Sequence, residues 1–140
     1  MKLTTFFFFL SVFFASCSTG LQDRDAEFLD EVLNTEWELI EMDGENLSDM
    51  DSPPSLKFSN EEYKIGGRGG CNSYGADIEV QDEKISINNI ISTKMFCDGK
   101  MDTESKYFSI LEKIDDIKVK DQKLHLSSGN KSVLVFERLK

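Results

Sequence analysis

The sequence predicts an α+β protein that is mostly β: a bent antiparallel sheet or small barrel of seven to eight strands, with one helix packed on it. Period-two alternation of apolar residues recurs from residue 35 to the end, in short runs separated by Gly, Asn, Asp, Ser and Pro. Only one stretch carries helical spacing, and it comes late. Strands followed by a single helix and more strands read as α+β rather than as alternating β-α units.

The first sixteen residues stand apart from that fold. Lys2 supplies a positive start, and Phe6 to Ala15 is an apolar run broken only by Ser11. Such a run is too short to span a bilayer, which takes ~20 residues, and suits the core of a signal peptide. Ala15 and Ser16 lead directly into Cys17, which resembles a lipobox, where the thiol is acylated and the chain is cut just before it. Phe14 stands where that motif usually has Leu. The other reading is an ordinary secretory signal cut near Ser16, with Cys17 left as a free thiol. Both export the chain. The first anchors it by lipid in the cell envelope, with the outer membrane as the expected site.

Residues 17–32 are small, polar and acidic and are expected to form a tether; the folded domain is expected over 33–140. In "TEWELIEM", Trp37, Leu39 and, less strictly, Ile40 and Met42 alternate as a strand. "DGENLSDMDSPPS" reads as a loop, because Pro53 and Pro54 cannot donate to a ladder. "LKFS" and "EYKI" read as two short strands. "SYGADIEV" places Tyr74, Ala76, Ile78 and Val80 on one face, and "KISINNI" alternates until it slips at Asn88 and Asn89. In "TESKYFSILEKIDD", Tyr107, Phe108, Leu111 and Ile114 recur at three- and four-residue steps, so a helix is expected over 103–116. Thr103 is its expected cap, and Glu104 in the first turn suits the helix dipole. "IKVK", "KLHLS" and "SVLVFERL" close the chain as strands.

Charge narrows the function. The chain has 16 Lys and Arg against 26 Asp and Glu, a formal charge of −10. Removing residues 1–16 takes away one Lys and leaves 15 against 26, or −11. Nucleic-acid binding needs clusters of Lys and Arg on phosphate, so it is excluded as the expected role. Electrostatic docking on anionic lipid is excluded too, which leaves the acyl group as the membrane attachment. About 124 residues after cleavage make one domain, expected to be monomeric.

The stretch with most chemical promise is "IGGRGGCNSYGA", residues 65–76, which holds five of the nine glycines around Cys71. A phosphate-cradling loop would open a helix, whereas this one opens an alternating strand. A thiolate nucleophile needs a base, and the sole histidine, His125, lies between Leu124 and Leu126 at an outward strand position. Zinc lacks paired ligands, and Asp98, Asp102 and Glu104 lack the alternation and glycine of a calcium loop. No catalytic residue, cofactor or metal is expected. Glycines in a β context serve bulges and close backbone approach instead.

"GGCNSYGADIEV" followed by "KISINNIISTKMFC" resembles the core motif of the META domain, also called the HslJ-like family. The family pairs Gly-Cys-Asn, Tyr and Gly with a downstream Ser-Thr-x-Met-x-Cys, matched here by Gly70, Cys71, Asn72, Tyr74 and Gly75, then Thr93, Met95 and Cys97. Trp37 in "TEWELIEMDGENL" resembles its first strand, "PSLKF" its Pro-x-Leu-x-Phe strand, and Glu104 in "ESKYFSIL" its Glu-led helix. Asn34 to Glu36 and Asp98-Gly99 depart from the family's usual loops. The resemblance implies a compact β-rich domain of bacterial envelope proteins, often lipoproteins, linked to stress tolerance and without a defined catalytic site. Cys71 and Cys97 bound the two motifs. Once Cys17 is acylated they are the only thiols left in an oxidising compartment, so a disulfide is expected; two buried reduced thiols are the alternative.

The expected function is therefore a non-enzymatic envelope lipoprotein acting through protein contacts in envelope stress tolerance or maintenance. The alternative is a carrier or chaperone that holds an acyl chain or apolar peptide in the cleft of the bent sheet.

Overall fold

The computed structural model describes residues 32–33, 35–59, 64–81 and 84–139. The expected signal peptide and Cys17 lie outside these, as does the expected tether apart from Val32, which is buried in the core.

The elements formed by the described residues are, in order, β1 (Glu36–Met42), β2 (Glu45–Asn46), β3 (Ser55–Phe58), β4 (Lys64–Arg68), β5 (Ser73–Gln81), β6 (Lys84–Ser92), the helix α1 (Met101–Leu111), β7 (Asp116–Lys120), β8 (Lys123–Ser128) and β9 (Lys131–Arg138). The sheet path is β6-β5-β4-β3-β1-β9-β8-β7, with β2 paired to β1 off that path. Every strand pair is antiparallel. The fold is α+β and mostly β, as the alternation predicts.

The count exceeds seven to eight because β2 forms inside the stretch read as a loop. Asp43 and Gly44 both take positive φ, 52° and 87°, which is what a two-residue hairpin turn with the twist of its strands requires. The sheet also stays open. Its two edges meet where the Ile85 N–H donates to the Asp115 carbonyl at 3.1 Å and Lys84 Nζ lies 3.7 Å from the Asp115 carboxylate. No β6–β7 ladder follows among the described residues.

Both slips in the alternation are bulges. Leu39 pairs with Phe136 and Glu41 with Val135, so Ile40 is the extra residue; Trp37, Leu39 and Met42 then all face the core. In β6 the register jumps between Asp77–Asn88 and Gly75–Ile91, with Asn89 at φ 53° inside the jump.

α1 begins and ends earlier than its periodicity suggests. Its cap is Lys100, with no side-chain hydrogen bond, so Thr103 lies inside the first turn rather than capping it. A turn at Asp98–Lys100, closed by the Lys100 N–H on the Cys97 carbonyl at 3.2 Å, delivers the chain directly into the helix. At the far end the backbone turns after Leu111, and Ile114 reaches the core from that turn.

The concave face of the sheet is filled by side chains from both layers. Trp37, Leu39, Leu56, Leu124, Leu126, Leu134 and Phe136 come from strands, Tyr107 and Leu111 from α1, and all are fully buried. Tyr107 packs edge-on against Tyr74 of β5, ring centroids 5.7 Å apart, and against Phe136 of β9 at 6.5 Å. These aromatic pairs favour such offsets and contribute ~0.5–1.5 kcal/mol each beyond area burial. The helix thus occupies the hollow that the bend creates.

Candidate functional site

Three segments that are distant in sequence converge at one end of the helix: the β4–β5 turn at residues 69–72, the β6–α1 loop at 93–100, and the first turn of α1. Asn72 is their meeting point. Its Nδ2 donates to Glu104 Oε1 at 2.7 Å and to the Met95 carbonyl at 3.1 Å. Its Oδ1 accepts from the Thr93 hydroxyl at 2.8 Å and the Met95 N–H at 2.7 Å. All four hydrogen-bonding positions of the amide are filled, and the partners fix which way it faces.

Glu104 is only 4% exposed, so a carboxylate there needs donors around it. Oε2 accepts the backbone N–H groups of Cys71 at 3.0 Å and Asn72 at 2.6 Å, in addition to the Asn72 side chain on Oε1. The acid therefore serves the turn across from the helix; its partners are not the N–H groups of its own first turn. Cys71 and Cys97 are joined in a disulfide, Cα atoms 5.8 Å apart, which ties the same turn to the same loop.

The glycines make this approach feasible. A Cβ on Gly69 would sit 2.6 Å from Phe108 Cζ and 2.9 Å from Glu104 Cγ, closer than atoms pack. Gly70 takes φ 121°, a region an L side chain rarely adopts. Gly75 pairs with Gly66 in the β4–β5 ladder and with Ile91 across β5–β6.

A second polar contact backs the first. Tyr74 Oη and Tyr107 Oη lie 2.7 Å apart, and Tyr74 Oη is 3.2 Å from the Ser55 carbonyl. A carbonyl only accepts, so Tyr74 donates to Ser55 and Tyr107 donates to Tyr74. Burial pushes the Tyr74 hydroxyl well above the usual phenol range, opposed by the hydrogen bond from Tyr107. Burial, with Tyr74 beside it, raises Tyr107 as well.

Over the cluster lies an open depression of about 360 Å³, lined by Thr93, Lys94, Met95, Phe96, Met101 and Phe108 among others. His125 is remote from it; its Nδ1 lies 3.2 Å from the Ser132 hydroxyl on the face of β8 opposite Leu124 and Leu126. Among the described residues no three His, Cys, Asp or Glu side chains form a metal-holding group. The polar atoms of Asn72 and Glu104 bind one another and the backbone, an arrangement that organises loops.

Trp37 lies in the core beneath Arg138, and the other motif residues (Gly70, Asn72, Tyr74, Gly75, Thr93, Met95, Glu104) gather around the turn and loop just described. A family model described as the META domain matches residues 30–140. This chain belongs to the META domain family. Three solved structures resemble this META domain. An NMR structure of a protein from Burkholderia xenovorans is 25% identical, covers 79% of this chain and 86% of that one, and has a TM-score of 0.61. A second NMR structure is 17% identical over 77% of this chain and 92% of that one, TM-score 0.59. A crystal structure of a DUF4847 family protein from Bacteroides vulgatus is 10% identical over 77% and 94%, TM-score 0.52, a likeness of fold alone. A comparison with curated proteins finds no match.

Sequence reasoning missed two features of the META domain's cluster. The pairing of Tyr107 with Tyr74 has no local signal, because the two lie thirty-three residues apart. The role of Glu104 was hidden by a competing rule: an acid in a first turn is ordinarily explained by the helix dipole alone.

Proposed function

We propose that this META domain is the non-enzymatic, disulfide-stapled head of a lipid-anchored envelope protein, acting by surface contact in envelope stress tolerance or maintenance. One observation carries the reading. The polar side chains that identify the family are engaged with each other and with backbone groups, so they hold the turn and the loop in place. A general acid or base would need a titratable group facing a bound substrate.

The carrier alternative is less well supported. Tyr107, Leu111 and Ile114 occupy the hollow in which an acyl chain or peptide would have to lie.

The test is genetic and biochemical together. Deletion of the gene is expected to sensitise cells to detergent and other envelope stress, and the wild-type gene to restore resistance. A Cys17→Ala gene is expected to yield a folded protein in the soluble envelope fraction and to fail in restoring resistance. Full rescue by the unanchored protein, or its retention with membranes, contradicts the anchored-contact reading. An enzymatic activity abolished by Asn72 or Glu104 substitutions in a still-folded protein contradicts the non-enzymatic one.

A further inference from the structure

The β6–α1 loop presents apolar side chains to solvent from a rigid mount. Phe96 is 80% exposed, Met95 56% and Ile91, at the end of β6, 75%. Single exposed apolar residues are ordinary, but three within six positions of one short segment are not. The segment is held at both its peptide groups and its sulfur: Asn72 clamps the Met95 N–H and C=O, and the disulfide fixes Cys97. Little conformational freedom remains to be lost when these side chains are covered.

We propose that this loop dips into the boundary of headgroups and acyl chains of the same membrane that carries the N-terminal lipid. The inference rests on the reading that Cys17 is acylated. Chain length and entry point support it. Residues 17–31 can reach at most ~50 Å, so an acylated Cys17 keeps the domain beside the bilayer. The chain first meets the sheet where Leu33 bridges Phe58 of β3, and the row of paired residues Lys57, Gly66, Gly75, Ile91 runs from beside that point to the apolar segment. Three strand spacings separate its ends, roughly 14 Å along the sheet. The entry and the apolar loop are therefore close enough to address one surface.

Size favours lipid over protein. A stable protein interface takes about 800 Å² per partner, whereas a few apolar side chains at ~150–250 Å² for the largest fall short of it. The acidic excess that opposes a second copy also opposes anionic lipid, so the boundary entered is one of zwitterionic headgroups. Interfacial insertion needs only a few apolar side chains when a tether supplies high local concentration. Lys94, exposed between Thr93 and Met95, suits a lipid phosphate.

Phe96→Trp in the full mature protein tests the proposal. The protein is purified, its N-terminal acylation read by mass spectrometry, and it is reconstituted into phosphatidylcholine vesicles with brominated acyl chains. Trp37 is fully buried and serves as the unquenched reference in the wild type. Trp37 goes on emitting, so the Phe96→Trp protein is expected to lose up to about half its emission to bromine, since insertion reaches ~5–10 Å into the boundary. An acylated, vesicle-bound Phe96→Trp protein quenched no more than wild type overturns the proposal alone. An unacylated chain that stays out of the vesicles overturns the anchor reading and the proposal with it. Emission unchanged in pure lipid but shifted to the blue in native membranes assigns the loop to a protein partner and overturns the proposal likewise.

Discussion

Glu104 and Asn72 are bound twice over: the Glu104 carboxylate accepts the Asn72 side-chain amide at 2.7 Å through one oxygen and the Asn72 backbone N–H at 2.6 Å through the other. The pair lies thirty-two residues apart in sequence and joins the start of the helix to the β4–β5 turn. With the disulfide one residue away, it accounts for why the family motif combines glycine, cysteine and asparagine. Glycine lets the backbones meet, cysteine ties them, and asparagine bridges Glu104 to the Thr93 hydroxyl and the Met95 backbone while Glu104 takes the N–H groups of the turn.

The disulfide closes a loop between Cys71 and Cys97, a separation of 26 residues. In the chain-entropy picture that constraint contributes about 3.5 kcal/mol. A Cys71→Ala/Cys97→Ala protein is expected to lose roughly that much in urea unfolding, with a steeper slope because its unfolded chain is no longer held compact by the bond. Two alkylatable thiols at these positions in the unreduced, denatured protein contradict the bond.

Gly69→Ala is expected to destabilise the domain by ~1–3 kcal/mol, because the new methyl meets Phe108 and Glu104 within contact distance. Gly44→Ala supplies the contrast. Nothing lies near its added Cβ, so any loss there reflects the positive φ of the turn. A Gly69→Ala protein as stable as wild type would show that the close approach of α1 matters little.

The two tyrosines are not equivalent. Tyr107→Phe leaves Tyr74 donating to the Ser55 carbonyl and is expected to cost about 1 kcal/mol. Tyr74→Phe leaves the Tyr107 hydroxyl buried without its partner and is expected to cost more, ~1–3 kcal/mol. The reverse order in chemical unfolding overturns the donor assignment.

Both hydroxyls also predict an alkaline limit. Burial raises each above its ordinary value of 10.0, so the folded state favours the protonated phenol. Below pH 10 both states keep their protons and stability is unaffected. Above it the unfolded chain loses protons first, and stability falls as pH rises. Tyr107→Phe is expected to shallow that fall; an identical pH profile between pH 9 and 12 contradicts it.

Much of the fold was legible because alternation survives in most strands. The bulges at Ile40 and Asn89 appeared as slips of phase, which is how an extra residue reads along a chain. β2 was not legible: its two residues owe their pairing to the Asp43-Gly44 turn rather than to any apolar face. The helix start at Met101 was hidden because the loop and its disulfide set it, leaving the cap at Lys100 without a side-chain bond. Within the site, the residue types were visible, but their convergence depends on long-range contacts that no local pattern encodes.

Asn72 and Glu104 form a structural clamp that requires, at position 104, a group able only to accept. Glu104→Gln tests it most directly, because its amide must turn an NH₂ toward either the Asn72 side chain or the two backbone N–H groups. Urea unfolding of wild type, Glu104→Gln, Asn72→Ala and the double variant gives the coupling between them. Glu104→Gln alone is expected to lose ~1–3 kcal/mol, and the double variant to be much less damaged than the sum of the two singles. A Glu104→Gln protein as stable as wild type, or strictly additive losses, would contradict it.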